Sequence, residues 1–430
     1  MKLHSRLRIV TLLLVLFCQP AGAEEGSPSL VERGRYLATA ADCVACHTAA
    51  DGQSYAGGRP IETPFGVIYS RNLTPDVKTG IGNWSNEDFY RALHKGESRN
   101  GSHLYPAFPF TYFTQISLDD AVAMKAYLDT LEPVQSMTPP NKFPWPLNQR
   151  WVMWWWKLLF FQEGPHTVVS PLSPDKAPAT HSTRGAYLVE ALAHCGACHT
   201  PKNFLGADKR NASFQGGTIE HWLAPNLTGD LRSGLGNWSA DEIVEYLQTG
   251  RNARALASGP MAEVVEVSTS KLYEADLHAI AAYLKDLPAA DRDVKATKPD
   301  PDVLKAGEAI FVDVCTACHQ TSGEALARAF APLKGSAIVQ SGNPVSVIRA
   351  ILKGSRAATT DMQPTPFAMP AFDWKLNDHE VAAVATYIRS AWGNEAPAVT
   401  AREVKKLRRK LDQASSVAGP TGFDGSERWR

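Results

Sequence analysis

The sequence predicts an all-α fold built from three tandem modules, and three observations carry that expectation. The pattern Cys-x-x-Cys-His occurs three times, as Cys43-Val-Ala-Cys46-His47, Cys195-Gly-Ala-Cys198-His199 and Cys315-Thr-Ala-Cys318-His319. The region around the second copy repeats the region around the first through most of its length. Each copy is also bracketed by two stretches whose apolar residues recur with helical spacing.

The pattern itself points to a chemistry. Two thiols one helical turn apart can each form a thioether to a haem vinyl group, and the histidine that follows is then placed under the iron. A zinc site would need four ligands, and no second pair stands beside any copy. A redox dithiol has no use for the histidine. The reading is therefore three covalently bound haem c groups, attached through Cys43, Cys46, Cys195, Cys198, Cys315 and Cys318, with His47, His199 and His319 as proximal ligands. The fold expected is three tandem class I cytochrome c domains.

Cysteine usage agrees, because six of the seven cysteines lie in the motifs. The seventh, Cys18, falls in residues 1–23. There Lys2, Arg6 and Arg8 precede an apolar run from Ile9 to Phe17, and Ala21-Gly22-Ala23 follows as a cleavage site. That pattern reads as a signal peptide and places the mature chain in the periplasm. A length of 430 residues suits about three domains. The formal charge of zero gives no reason to expect a nucleic-acid partner. No later stretch reaches the roughly 18 consecutive apolar residues of a membrane span.

Domain 1 covers residues 30–132. It opens with Val31-Glu-Arg-Gly34-Arg-Tyr36-Leu37 and closes with a helix from Leu118 to Leu128, where Met124, Tyr127 and Leu128 share a face. Asp119 or Asp120 suits the first turn of that closing helix, and Gly34 would let the two helices approach closely. Domain 2, residues 181–290, answers it nearly motif for motif. Gly185-Ala-Tyr187-Leu188, Asn226-Leu227-Thr228 and Gly234-Leu-Gly236-Asn237-Trp238-Ser239 repeat Gly34-Arg-Tyr36-Leu37, Asn72-Leu73-Thr74 and Gly80-Ile-Gly82-Asn83-Trp84-Ser85. Trp84 and Trp238 either hydrogen-bond a haem propionate through the indole N–H or cap the core. Domain 3, residues 301–393, is shorter and more divergent.

The second axial ligand decides what each haem can do, since a methionine sulfur raises the potential and closes the iron to outside ligands. Met369, in Ala368-Met369-Pro370, stands 18 residues before Tyr387. Met261, in Pro260-Met261, stands 22 before Tyr283. These two are the expected sixth ligands of the third and second haems, with Met362 a rival to Met369. The matching position in domain 1 holds Phe108, which cannot ligate iron. His103 is the nearest nitrogen donor; otherwise haem 1 is five-coordinate or takes a ligand that the sequence does not identify.

At these residues the chain resembles the triheme cytochrome c subunits of bacterial periplasmic dehydrogenases. The likeness rests on Arg33-Gly34-Arg-Tyr36-Leu37, Asn72-Leu73-Thr74-Pro75-Asp76, Leu104-Tyr105-Pro106-Ala107-Phe108-Pro109, Arg184-Gly185-Ala-Tyr187-Leu188 and Gly259-Pro260-Met261. It extends over about residues 30–392. The resemblance implies a partner catalytic subunit of quinoprotein, flavoprotein or molybdenum hydroxylase type, with quinone, a terminal oxidase or another cytochrome as acceptor. Many members carry methionine where Phe108 stands, and the Phe form looks more like cytochromes that accompany molybdenum hydroxylases.

Two stretches lie outside the modules. Residues 133–180 form a Pro/Trp-rich linker containing Trp151, Trp154, Trp155, Leu158 and Leu159 on one helical stripe. Such a cluster suits a membrane interface, a protein interface or burial between modules. Residues 394–430 form a basic tail, in which Val404, Leu407 and Leu411 make a narrow apolar stripe. The sequence thus reads as an electron relay, peripheral to the periplasmic face of the inner membrane and not catalytic alone. The alternative is a haem enzyme, a peroxidase or small-molecule reductase, acting at an open haem 1.

Overall fold

The computed structural model describes residues 29–164, 181–290, 298–326 and 328–418. The expected signal peptide, with Cys18, and residues 165–180 of the linker lie outside the described residues, as do the last twelve positions.

Helix Leu30–Ala40 starts where the Ser29 side chain accepts from the Glu32 amide, and it crosses helix Leu118–Leu128. At the crossing a Cβ on Gly34 would lie 1.8 Å from the Ala123 carbonyl oxygen, so only glycine fits. The same close approach recurs twice. Gly185 lies against Ala279 of helix Glu274–Asp286, and Gly307 of helix Pro301–Val314 lies against Ala383 of helix Asp378–Ser390. Leu37, Met124 and Leu128 are fully buried around the first crossing, which fixes Met124 as a packing residue.

The chain is largely helical, but the described residues also hold three two-stranded antiparallel hairpins. They pair Pro60–Thr63 with Gly66–Tyr69, Gly217–Ile219 with Trp222–Ala224, and Ser355–Arg356 with Ala368–Met369. Strands of two to four residues are too short to leave a period-two signal, which is why an all-α pattern is what the sequence displays.

One apolar cluster runs through the first two modules, from Leu37 and Met124 to Leu188, Leu277 and Leu284. The contact between them is reciprocal. Arg33 pairs with Asp120 at 2.5 Å, and Asp120 also accepts from Tyr187 of the other module. In the answering set, Arg184 pairs with Asp276 at 2.5 Å, and Asp276 accepts from Tyr36. Asp120 therefore occupies the first turn of its helix but spends its carboxylate across the module boundary.

The third helix crossing has its own cluster around Phe311, Leu352 and Val384. Helix Ala401–Ala418 belongs to that cluster through Val404, Leu407 and Leu411, and Arg408 pairs with Asp378 at 2.8 Å. The basic segment thus packs on the third module, with Lys405, Lys406, Arg409 and Lys410 left exposed.

In the linker, helix Val152–Phe160 buries Met153 and Trp156 against Tyr105, Phe110 and Ala207, and the Trp156 indole donates to the Leu205 carbonyl at 3.0 Å. It therefore bridges the first two modules. Trp151, Trp154, Trp155, Leu158 and Leu159 form the opposite stripe, each between 49% and 68% exposed. Among the described residues no helix is long and apolar enough to cross a membrane.

Candidate haem centres

Each Cys-x-x-Cys-His segment closes as one helical turn, with the histidine amide donating to the first cysteine's carbonyl at 3.0 Å in all three. In the first two modules the turn is set off from the opening helix by a residue in the left-handed region, Asp42 at φ 54° and His194 at φ 37°. That conformation is costly for a residue with a side chain, so the packing around these positions must hold it. In the third module the helix runs directly into Cys315 at φ −110°.

The three motif histidines share a second relationship. His47 Nδ1 lies 2.6 Å from the Arg71 carbonyl oxygen, His199 Nδ1 lies 2.7 Å from that of Pro225, and His319 Nδ1 lies 3.1 Å from that of Ala331. Burial holds all three imidazoles below the ordinary histidine range, hence neutral. A neutral ring that donates from Nδ1 leaves Nε2 as its basic atom, the arrangement required of a metal-ligating histidine.

The repeated Asn-Leu-Thr now acquires a role that the sequence alone did not supply. Asn72 follows Arg71 directly, and Asn226 follows Pro225. Asn72 Nδ2 donates to the Val134 carbonyl at 2.7 Å and to Thr79 at 3.0 Å, while its Oδ1 accepts from the Thr74 amide at 2.9 Å. Asn226 repeats this with Ala290, Ser233 and Thr228. These buried amides pin the backbone whose carbonyl orients each histidine. The signal was the duplicated Asn-Leu-Thr itself, which begins 25 residues after His47 and 27 after His199.

The six thiols are unpaired. Burial raises Cys43 and Cys195 to about 12 and Cys315 to about 11, so they are neutral thiols. Among the described residues no cluster of His, Cys, Asp and Glu could hold a bare metal ion. Two thiols on one helical turn, followed by a histidine with its Nε2 free, fit a covalently held haem. When bound, that group supplies one-electron chemistry by cycling its iron between two oxidation states.

The candidate sixth positions differ in kind. Met261 begins helix Pro260–Val267 and packs on the same cluster as Cys195, and Met369 and Cys315 likewise border one cluster. Met362 is 60% exposed, so it has no such packing. Phe108 borders the cluster that Cys43 touches, with its ring 5.5 Å from that of Phe113. His103 Nδ1 sits 3.1 Å from Lys157 Nζ and 3.6 Å from a Glu97 oxygen, which ties its ring to the linker helix. Trp84 and Trp238 are half-buried on the common cluster, and Trp238 meets Tyr246 edge-on at 5.7 Å.

Comparison with known proteins bears on the same residues. A family model described as cytochrome c matches residues 31–132 and 304–392. The chain is 41% identical to the gluconate 2-dehydrogenase cytochrome c subunit of Pantoea cypripedii, over 90% of this chain and 91% of that one. It is 37% identical to the cytochrome c subunit of the alcohol dehydrogenase (quinone) of Gluconobacter oxydans, over 90% and 84%. With the fructose dehydrogenase cytochrome subunit of Gluconobacter japonicus it shares 36% identity, over 91% and 85%. Relatedness along nearly the whole length of each protein, together with histidines oriented as haem ligands, leads to one conclusion: the chain belongs to the cytochrome c family, among the cytochrome c subunits of dehydrogenases.

Proposed function

We propose that the chain is a triheme electron relay of three tandem class I cytochrome c domains, residues 30–132, 181–290 and 301–393, joined by the linker 133–180. The observation that carries this reading is the threefold motif whose histidine in each case gives Nδ1 to a backbone carbonyl. Cys43 and Cys46, Cys195 and Cys198, and Cys315 and Cys318 would each anchor one haem c by two thioethers. His47, His199 and His319 serve as proximal ligands, and Met261 and Met369 as sixth ligands in the second and third domains.

The partner is the catalytic subunit of a dehydrogenase, which oxidises the substrate and passes electrons to this chain. The near-complete coverage of relatives named as dehydrogenase cytochrome subunits supports this assignment. Quinone, a terminal oxidase or another cytochrome then accepts them. The exposed Trp151, Trp154, Trp155, Leu158 and Leu159 stripe suits the headgroup level of a bilayer, so the protein sits at the periplasmic face of the inner membrane as a peripheral subunit.

A second reading is favoured at one point only. Phe108 keeps its pocket apolar but offers iron no ligand, which leaves room for small-molecule chemistry at haem 1. Co-purifying the chain with its dehydrogenase subunit and adding substrate separates the two. Substrate-dependent reduction of the haem bands, reversed by a soluble quinone, supports the relay. Haems that stay oxidised in the complex while the chain alone turns over peroxide would replace it with the enzyme reading.

A further inference from the structure

Helix Pro260–Val267 meets a segment of each of the three modules. It opens with Met261, and its Ala262 and Val265 form one cluster with Ala257 and with Ala358 of the third module, against which Met261 packs. The same helix lies against the attachment turn Cys43–Cys46 of the first module. In the first module the segment after Phe108 is the four-residue helix Phe110–Phe113, which holds no acidic residue. The second module instead places Glu263 and Glu266 on its helix, three positions apart and so neighbours on the helix surface.

Each carboxylate reaches out of its own module to an arginine. Glu263 accepts from both Nη atoms of Arg59, from Nη2 at 2.8 Å, and Arg59 Nη1 also donates to the Ala45 carbonyl at 2.6 Å, between Cys43 and Cys46. Glu266 accepts from Arg356 Nη2 at 2.7 Å and from the Thr359 amide at 2.7 Å. Arg356 stands opposite Ala368 in the hairpin whose other pair is Ser355 and Met369. Beside it Ser258, three residues before Met261, pairs with Ala357 as an isolated antiparallel bridge. A Cβ on Gly250 would come within 2.7 Å of the Ala358 methyl group, so the second and third modules are closely packed here. The four charged side chains are between 16% and 21% exposed, so salt screens them only in part.

We propose that Glu263 and Glu266 are positioning residues that make helix Pro260–Val267 the common mount of the three haem centres, each tuning the reduction potential of one neighbouring haem through the arginine it holds. Glu263 acts on haem 1, whose attachment turn Arg59 grips, and Glu266 acts on haem 3, whose ligand hairpin contains Arg356. Reduction adds an electron, so a fixed negative charge near the iron lowers its potential and a fixed positive charge raises it. Arginine keeps its charge at any working pH, so the two members of each pair act in opposite directions. This inference rests on the assignment of a haem to each motif and of Met261 and Met369 as sixth ligands.

Spectroelectrochemistry of the full-length protein tests it, with Met261→Ala and Met369→Ala assigning the potentials of haems 2 and 3 and haem 1 following by elimination. Glu263→Gln should raise the potential of haem 1 more than that of haem 3, and Glu266→Gln should do the reverse. Arg59→Gln should lower the potential of haem 1, and combining it with Glu263→Gln should bring that potential back toward the wild-type value. A pair that merely held the fold would move haem 1 in one direction whichever member was replaced. Shifts of the same sign in Glu263→Gln and Arg59→Gln therefore overturn the proposal, as do unchanged potentials or loss of haem 1 from both variants. Failure of the underlying assignment shows separately, as fewer than three haems per chain in the unmutated protein or as methionine variants whose potentials do not move.

Discussion

The Tyr36 hydroxyl reaches the Asp276 carboxylate, 240 positions along the chain, and Tyr187 returns the contact to Asp120. Because Arg33 and Arg184 complete the two sets, the duplicated modules meet as an isologous pair within one polypeptide. Residue i of one copy contacts residue j of the other, and j contacts i, as in a two-fold dimer.

The first prediction concerns that pair. Asp276→Ala strips Arg184 and Tyr36 of a common buried acceptor, and breaking a buried pair in this way costs about 3–5 kcal/mol. Tyr36→Phe removes the hydroxyl that donates to Asp276 and accepts from the Tyr273 amide, and should cost about 2 kcal/mol. Chemical denaturation followed by haem absorbance gives both. Equal, negligible effects would mean that the sets are ornaments of an interface held by the apolar cluster alone.

The glycine crossings give a second. Gly307→Ala drives a methyl group to within 2.2 Å of the Ala383 carbonyl, so the helices must part, an overpacking cost of about 1–3 kcal/mol or more. The third haem should be lost first, read as a drop in covalent haem per chain or an earlier thermal transition, while Gly335→Ala, whose Cβ would meet nothing within 4 Å, should carry only the backbone strain of its φ of 69°, about 1 kcal/mol, and leave haem content unchanged.

A third addresses ligation. Met261→Ala and Met369→Ala should each abolish one low-spin methionine–haem signature and lower one reduction potential. Exposed Met362 replaced by alanine should do neither. If Met362→Ala produces the loss and Met369→Ala is silent, the third ligand is misassigned.

The fourth follows from Phe108. Carbon monoxide added to the reduced protein should bind one haem in three, and His103→Ala should leave that stoichiometry unchanged, since the His103 ring is engaged by Lys157 and Glu97. Carbon monoxide that binds only after His103→Ala would make His103 the sixth ligand.

What the sequence disclosed was local. The motifs, the duplication and the close approach at Gly34 could all be read from spacing, because each expresses itself within one helical turn or one repeat. The stripe of Trp151, Trp154, Trp155, Leu158 and Leu159 was legible as a stripe, but periodicity could not say that it faces outward, since Met153 and Trp156 on the other side are apolar too. Contacts between distant positions left no pattern. Asp120 looked like an ordinary first-turn acid of its helix, and nothing in its neighbourhood announced Arg33 or Tyr187. Asn72 was visible as a repeat, but its hold on the Arg71–Thr74 backbone appears only once Val134 has come back to meet it. Likewise, Val404, Leu407 and Leu411 were a recognisable stripe whose partner, the third module, is a tertiary fact.

The central claim is that all three motifs carry haem. The most direct measurement is the denatured intact mass of the exported protein alongside its iron and pyridine haemochrome content. A mass exceeding the mature polypeptide by three haems, which survives unfolding because the thioethers are covalent, is the result predicted here. A mass short by one haem or more, with free thiols at Cys43 and Cys46, Cys195 and Cys198, or Cys315 and Cys318, would contradict it.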